Sequence, residues 1–237
     1  MSDTAIVTGA SGGIGRACVT ALAPDHDIVV HYHSDRDGAQ AAKADAEAAG
    51  AEAILHQCDV SDPAAAAELV TAAVEAFGGL DVLVNNAGVF LERALSDHSS
   101  EDIDRTLGVN LAGPIYLTQA ALPSLTDGGG NLVNVASTAG TRGSPSDPVY
   151  SASKGGLIAF TKAITRIYAA EGVLANVVAP DAVATKMYRE ERRPAAREAI
   201  PIGRLMTPED VAEAVRFFAV TESVSGEVLE VDGGRFT

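Results

Sequence analysis

Ala5-Ile6-Val7-Thr8-Gly9-Ala10-Ser11-Gly12-Gly13-Ile14-Gly15 is the stretch that decides the fold. A short β run meets a glycine-rich turn, and helical character follows from Gly13 to Ala23. Glycines 9, 13 and 15 are spaced Gly-x3-Gly-x-Gly. Without side chains they let a phosphate approach the backbone and the helix N-terminus, whose N–H groups and dipole favour an anion. They also allow tight packing of helix on strand. At the head of a βαβ unit this turn points to nucleotide binding.

Outward from that turn, strand-like and helix-like segments alternate to the end of the chain. Strands are predicted at residues 27–32, 53–57, 80–85, 131–135, 174–178 and 228–231. Helices are predicted at residues 37–49, at 63–77 with Ser61 as N-cap, at 100–125, at 150–169, and at 208–218 with Thr207 as N-cap. Seven apolar strands with helical connections imply an α/β fold: one doubly wound, seven-stranded parallel sheet with helices on both faces. No linker divides the chain, so residues 1–237 read as a single domain. The charged stretch 181–201, which contains Pro194, reads as a short substrate lid.

Composition removes whole classes of function. The chain carries 32 acidic and 17 basic residues, a formal net charge of −15. A field this negative repels nucleic acid and anionic lipid. No apolar run reaches the roughly 18–20 residues that span a bilayer. The opening Met1-Ser2-Asp3-Thr4-Ala5 lacks the features of a signal peptide. The expectation is a cytoplasmic protein with no nucleic-acid or membrane partner. Cys18 and Cys58 have no metal-ligand spacing and read as small apolar residues. His26 and His98 read as surface loop residues, and no metal site is expected.

Two further constellations carry chemistry. Asn85-Asn86-Ala87-Gly88 closes the fourth strand at a carboxyl end of the sheet, where open α/β sheets bind ligands. Ser137 follows the fifth strand, and Tyr150 and Lys154 stand four apart on a helix, on one face. An ammonium beside a phenol stabilises phenolate, so the Tyr150 pKa is expected to fall toward the working pH. Tyr150 is then a proton donor to a carbonyl, or an acceptor from an alcohol, with Ser137 holding the substrate oxygen.

Thr8-Gly9-x3-Gly13-x-Gly15, Asp59-Val60, Asn85-Asn86-Ala87-Gly88, Asn110, Ser137, Tyr150-x3-Lys154 and Val231-Asp232-Gly233-Gly234 fall in one order across the chain. Together they resemble the short-chain dehydrogenase/reductase family. The stretches Pro201-Ile202-Gly203-Arg204 and Thr207-Pro208-Glu209-Asp210 resemble its 3-oxoacyl-[acyl-carrier-protein] reductase members. The resemblance implies a Rossmann-type sheet and an NAD(P)(H)-dependent oxidoreductase acting on a small carbonyl or alcohol. It implies a catalytic tetrad of Asn110, Ser137, Tyr150 and Lys154. Asn110 would hold a relay water, and Lys154 would also bond the nicotinamide ribose. Ser11, Gly12, Gly13, Ile14 and Gly15 would hold the diphosphate with Gly9. Asp59 and Val60 would contact adenine. Asn86, with Ala87 and Gly88, would lie against the adenosine ribose. Pro180, Val183 and Thr185 would face the nicotinamide. A homotetramer is implied, paired through the helices from about Ser100 and from Tyr150, and through the last helix and strand.

The end of the second strand bears on cofactor choice. Tyr32 stands where an NAD-specific site would place an acid. His33, Ser34 and Arg36 follow, and each can donate to a phosphate. NADP is therefore expected over NAD, with the preference kept modest by Gly12, where a basic residue is common. The chain departs from the family at Asp181, where Gly is usual, so both backbone geometry and substrate charge there come into question. Pro194 is expected to break the helix that would align Arg189, Arg193 and Arg197; these cations read either as a solvated face paired with Glu190, Glu191 and Glu198 or, with Arg93 and Arg142 as similar candidates, as a phosphate or carboxylate contact for a coenzyme A-like substrate. The readings for function are a 3-oxoacyl thioester reductase; a sugar, polyol or small secondary-alcohol dehydrogenase; and a non-catalytic nucleotide-binding regulator.

Overall fold

Along the first strand, side chains alternate between two cores. Ala5 and Val7 pack with Val19, Leu22, Val215 and Phe218, while Ile6 packs with Leu69, Leu117 and Leu132 on the opposite face. That alternation is the period-two signature of a sheet covered on both sides. The computed structural model describes residues 2–236.

The strands are β1 (Asp3–Val7), β2 (His26–Tyr32), β3 (Ala53–Gln57), β4 (Val82–Asn85), β5 (Gly130–Val135), β6 (Val173–Pro180) and β7 (Val228–Val231). All neighbours pair in parallel, in the order β3-β2-β1-β4-β5-β6-β7. The order reverses between β1 and β4, which opens a crevice at their carboxyl ends. Helices α1 (Gly13–Leu22), α2 (Arg36–Ala48) and α3 (Pro63–Phe77) make the first crossovers. They are followed by α4 (Ser100–Leu107), α5 (Gly113–Leu125), α6 (Thr138–Arg142), α7 (Pro148–Tyr168), α8 (Arg193–Ala199) and α9 (Pro208–Ala219).

Four sequence expectations are corrected by local chemistry. The helix expected over residues 100–125 is two helices joined by a π turn at Gly108–Ala112. Pro114 lacks an N–H, so the carbonyl of Asn110, four residues earlier, has no helical donor there. Asp62, not Ser61, caps α3; its carboxylate accepts from the Ala64 and Ala65 amides. Pro194 does not break a helix but starts α8, where a missing N–H costs nothing. His26 is buried with its Nδ1 3.1 Å from the Leu22 carbonyl oxygen, and the His98 side chain is enclosed beside Asp147.

Candidate active site

The glycine turn sits at the reversal point between β1 and β4. Gly9 has φ +62, and a Cβ there would lie 2.9 Å from the Ala87 Cα. A Cβ on Gly15 would collide with the Gly9 carbonyl oxygen. Only glycine fits at both points. Above Gly12 there is open space, and the N-terminus of α1 has neither a side-chain cap nor an acidic residue in its first turn. Those amides are available to an anion. The buried Thr8 hydroxyl accepts from the Asn86 and Ala87 amides at 2.9 and 3.0 Å. The Asn86 side chain donates to the Thr8 and Gly9 carbonyls at 2.8 and 3.2 Å, so it braces the turn.

His31 is the main residue here that sequence reading missed. Its Nδ1 accepts from the Gly9 amide at 3.1 Å and its Nε2 lies 3.2 Å from the Cys58 carbonyl oxygen. Accepting at Nδ1 places the proton on Nε2, so one neutral ring ties β1, β2 and β3 together. Burial pushes its pKa down to about 4.

The turn opens into a cleft of about 1780 Å³. Ser137, Tyr150, Lys154, Pro180, Val183 and Thr185 line it together with Gly9, Ser11, Gly12, Gly13 and Ile14. Asp59, Val60, Asn86, Ala87 and Gly88 line the adjoining wall, while Gly15 and Asn110 lie behind it. Ser137 caps α6, accepting from the Ala139 amide at 3.2 Å. Tyr150 and Lys154 rise from α7, which Asp147 caps by accepting from the Tyr150 amide at 2.9 Å. The Asn110 side chain is committed to its neighbours. Its oxygen accepts from the Val89 amide at 2.8 Å, and its nitrogen donates to the Val89 carbonyl at 2.9 Å and the Ser153 hydroxyl at 3.2 Å. The Asn110 backbone carbonyl is left without its usual helical donor by Pro114.

The expected lowering of the Tyr150 pKa is not what the environment produces. Burial pushes the phenol up to about 12; the Ser137 hydrogen bond opposes this and the Asp147 charge adds to it. Lys154 Nζ donates to the Val135 carbonyl at 2.9 Å and stands 5.8 Å from the Tyr150 ring centroid. Its own pKa is pushed down to about 8 by burial. A protonated phenol is the form that carbonyl reduction requires of its acid.

At the adenosine end the structure divides the expected phosphate donors. His33 and Ser34 line the cleft; Tyr32 and Arg36 do not. Tyr32 is buried, its hydroxyl 3.4 Å from Gln57 Oε1, and Arg36 opens α2. Asp35 also lines the cleft and caps α2 by accepting from the Gly38 amide at 3.0 Å. Arg16 also lines the cleft, paired with Asp45 at 2.6 Å. Thr185 Cγ2 comes within 3.2 Å of a Cβ on Gly13, so the segment after β6 lies over the glycine turn. Lys186, the next residue, lines the cleft as a second cation that sequence reading passed over.

The arginines of the segment 181–201 pair only in part as expected. Arg189 bonds Glu92 at 2.7 Å, and Arg192 bonds the same carboxylate and the Ser146 hydroxyl. Arg193 pairs with Glu190 at 2.9 Å and donates to the Thr185 carbonyl. Glu92 is the one non-glycine residue with positive φ (55) among the described residues.

This fold and this cluster define a dinucleotide-dependent oxidoreductase. The family model described as Enoyl-(Acyl carrier protein) reductase matches residues 9–235, and the chain belongs to the short-chain dehydrogenase/reductase family. A 3-oxoacyl-[acyl-carrier-protein] reductase of Synechocystis sp. is 36% identical over 98% of this chain and 96% of its own length. A versicolorin reductase of Emericella nidulans is 34% identical over 98% of this chain and 95% of its own. Among solved structures, a short chain dehydrogenase from Burkholderia cenocepacia in complex with NADP superposes with a TM-score of 0.94. It is 38% identical, over 99% of this chain and 98% of that one.

Proposed function

We propose that this oxidoreductase reduces a ketone to a secondary alcohol with NADPH, the substrate being a 3-oxoacyl thioester or a related small ketone. One observation carries the reading: Ser137, Tyr150 and Lys154 share a single cleft with the glycine turn. The glycine turn and the uncapped N-terminus of α1 fit a dinucleotide diphosphate. When bound, the nicotinamide supplies the hydride. Tyr150 gives its proton to the carbonyl oxygen, which Ser137 orients. Lys154 faces the nicotinamide ribose, and its proton is replenished past Asn110. His33 and Ser34 face the ribose 2′-phosphate, while Asp35, held at the N-terminus of α2 by the Gly38 amide, keeps the preference modest. The NADP carried by the Burkholderia cenocepacia relative supports the same choice.

Two relatives of nearly equal identity bear names for different substrates, so overall similarity does not select one. The deciding experiment is an NADPH-oxidation assay against a carbonyl panel that includes acetoacetyl-CoA, repeated with NADH. Oxidation of NADPH that requires Tyr150 is expected. No turnover on any carbonyl would favour a nucleotide-binding regulator, and a preference for NADH would overturn the cofactor choice. We also assign a homotetramer, supported by exposed apolar residues on the expected faces: Ile167 on α7, Phe217 on α9 and Leu229 on β7.

A further inference from the structure

Four guanidiniums line the cleft beyond Ser137: Arg142, Arg192, Arg193 and Arg235. Each holds a carboxylate, from Glu230, Glu92, Glu190 and Asp181 respectively. The Arg235–Asp181 pair, at 2.7 Å, is set apart by its position. Asp181 follows β6 directly and also lines the cleft. Its Oδ1 accepts from the Thr138 hydroxyl at 3.1 Å, and Thr138 is the residue after Ser137. Asp181 and Arg235 side chains are 14% and 28% exposed, against 75% for Glu190 in the outermost pair.

The carboxylate is not needed by the backbone. Asp181 does not have positive φ, and its amide donates to the Val231 carbonyl at 3.1 Å as a continuation of the β6–β7 ladder. A smaller or uncharged residue would serve that turn equally well. What the side chain does is hold Arg235, whose guanidinium lies 5.1 Å from the centroid of the Phe236 ring. Arg142 sits 4.8 Å from the same centroid. Phe236 is thereby fixed as an apolar wall between two cations that are each already neutralised.

We propose that Asp181, through Arg235, sets the charge preference of the substrate lobe, which selects an uncharged ketone over an anionic one bearing the same carbonyl. This rests on the ketone-reductase reading above. A free guanidinium on the cleft wall, linked to the residue after Ser137 only through Asp181, would draw an anionic substrate into a low-dielectric cleft. With Asp181 in place that charge is cancelled, and an incoming anion meets the carboxylate as well.

The test compares ethyl 3-oxobutanoate with the 3-oxobutanoate anion, in wild type, Asp181→Asn and Asp181→Asn/Arg235→Gln. Asparagine keeps the size and the oxygen that Thr138 donates to. Wild type should favour the ester in kcat/KM by about tenfold, and Asp181→Asn should move that ratio about tenfold toward the anion, through KM. The double variant should move it back. A wild-type preference for the anion, or a ratio unmoved by Asp181→Asn, overturns the proposal. Anion binding to the enzyme–NADPH complex is read in parallel by NADPH fluorescence. If no variant turns over either compound, the ketone reading fails, while tighter anion binding by Asp181→Asn still sustains the charge assignment and unchanged binding still removes it.

Discussion

Tyr150 and Lys154 show why a motif locates residues better than it predicts their protonation. Their four-residue spacing places both in the cleft, but burial decides their acidity and moves the two in opposite directions. Tyr150→Phe removes only the proton carrier. It should cut kcat by at least about 100-fold while the NADPH dissociation constant stays within a few fold. A near-normal kcat would end the assignment. Lys154 is charged below about 8 and loses its proton as pH rises through that value. NADPH binding should therefore weaken above pH 8, and Lys154→Arg should remove that limb, because a guanidinium stays charged. His31 was invisible in the sequence because its role depends on β1, β2 and β3 meeting. Its folded pKa of about 4 lies below the ordinary value of 6.5, so the unfolded chain takes up the proton first as pH falls. Stability should drop between pH 6.5 and 4 by up to about 3 kcal/mol from this ring alone. His31→Gln can accept from Gly9 and donate to Cys58 without titrating. Urea midpoints across that range should decline less steeply in the variant; parallel declines would show that His31 is not responsible.

At the scale of elements, the strands were legible to within a few residues because two-sided burial makes them continuous apolar runs. Caps and breaks were harder. Ser61 and Asp62 are both good caps, and only the geometry of the turn chooses between them. The π turn could have been suspected from Pro114 alone, since a proline well inside a predicted helix must cost a hydrogen bond. The partner of the segment 181–201 could not, because Glu92 lies about a hundred residues earlier in the chain. One carboxylate holding Arg189 and Arg192 clamps the segment after Thr185 to the loop after β4. That loop is itself anchored by the Glu92 amide donating to buried Asp147 at 3.2 Å. Glu92→Ala should release the lid. Brief trypsin treatment should then cut after Arg189 or Arg192 several-fold faster than in wild type, and NADPH should slow that cleavage. Equal cleavage rates would mean that the clamp does not hold the lid.

Across the whole molecule, charge and apolar exposure pull against each other. A net charge of −15 repels copies of the chain from one another, yet Ile167, Phe217, Val220 and Leu229 are all at least 40% exposed. Large apolar side chains left in water on three adjoining elements mark surfaces that association would cover. Phe217 and Leu229 border a common hollow between α9 and β7, while Ile167 projects near the end of α7. The proposed homotetramer assigns them to two faces, since a closed assembly built on two kinds of two-fold contact is a tetramer. Light scattering should therefore report about four times the 24.2 kDa subunit mass. Phe217→Glu places another negative charge inside one face and leaves the α7 face intact, so the assembly should stop at a dimer. Because repulsion between acidic subunits is screened by salt, low ionic strength should shift that variant further toward dimer than it shifts the wild type. A wild-type mass near one subunit at both low and high salt would exclude the assembly, and an unchanged mass for Phe217→Glu would place the second interface elsewhere.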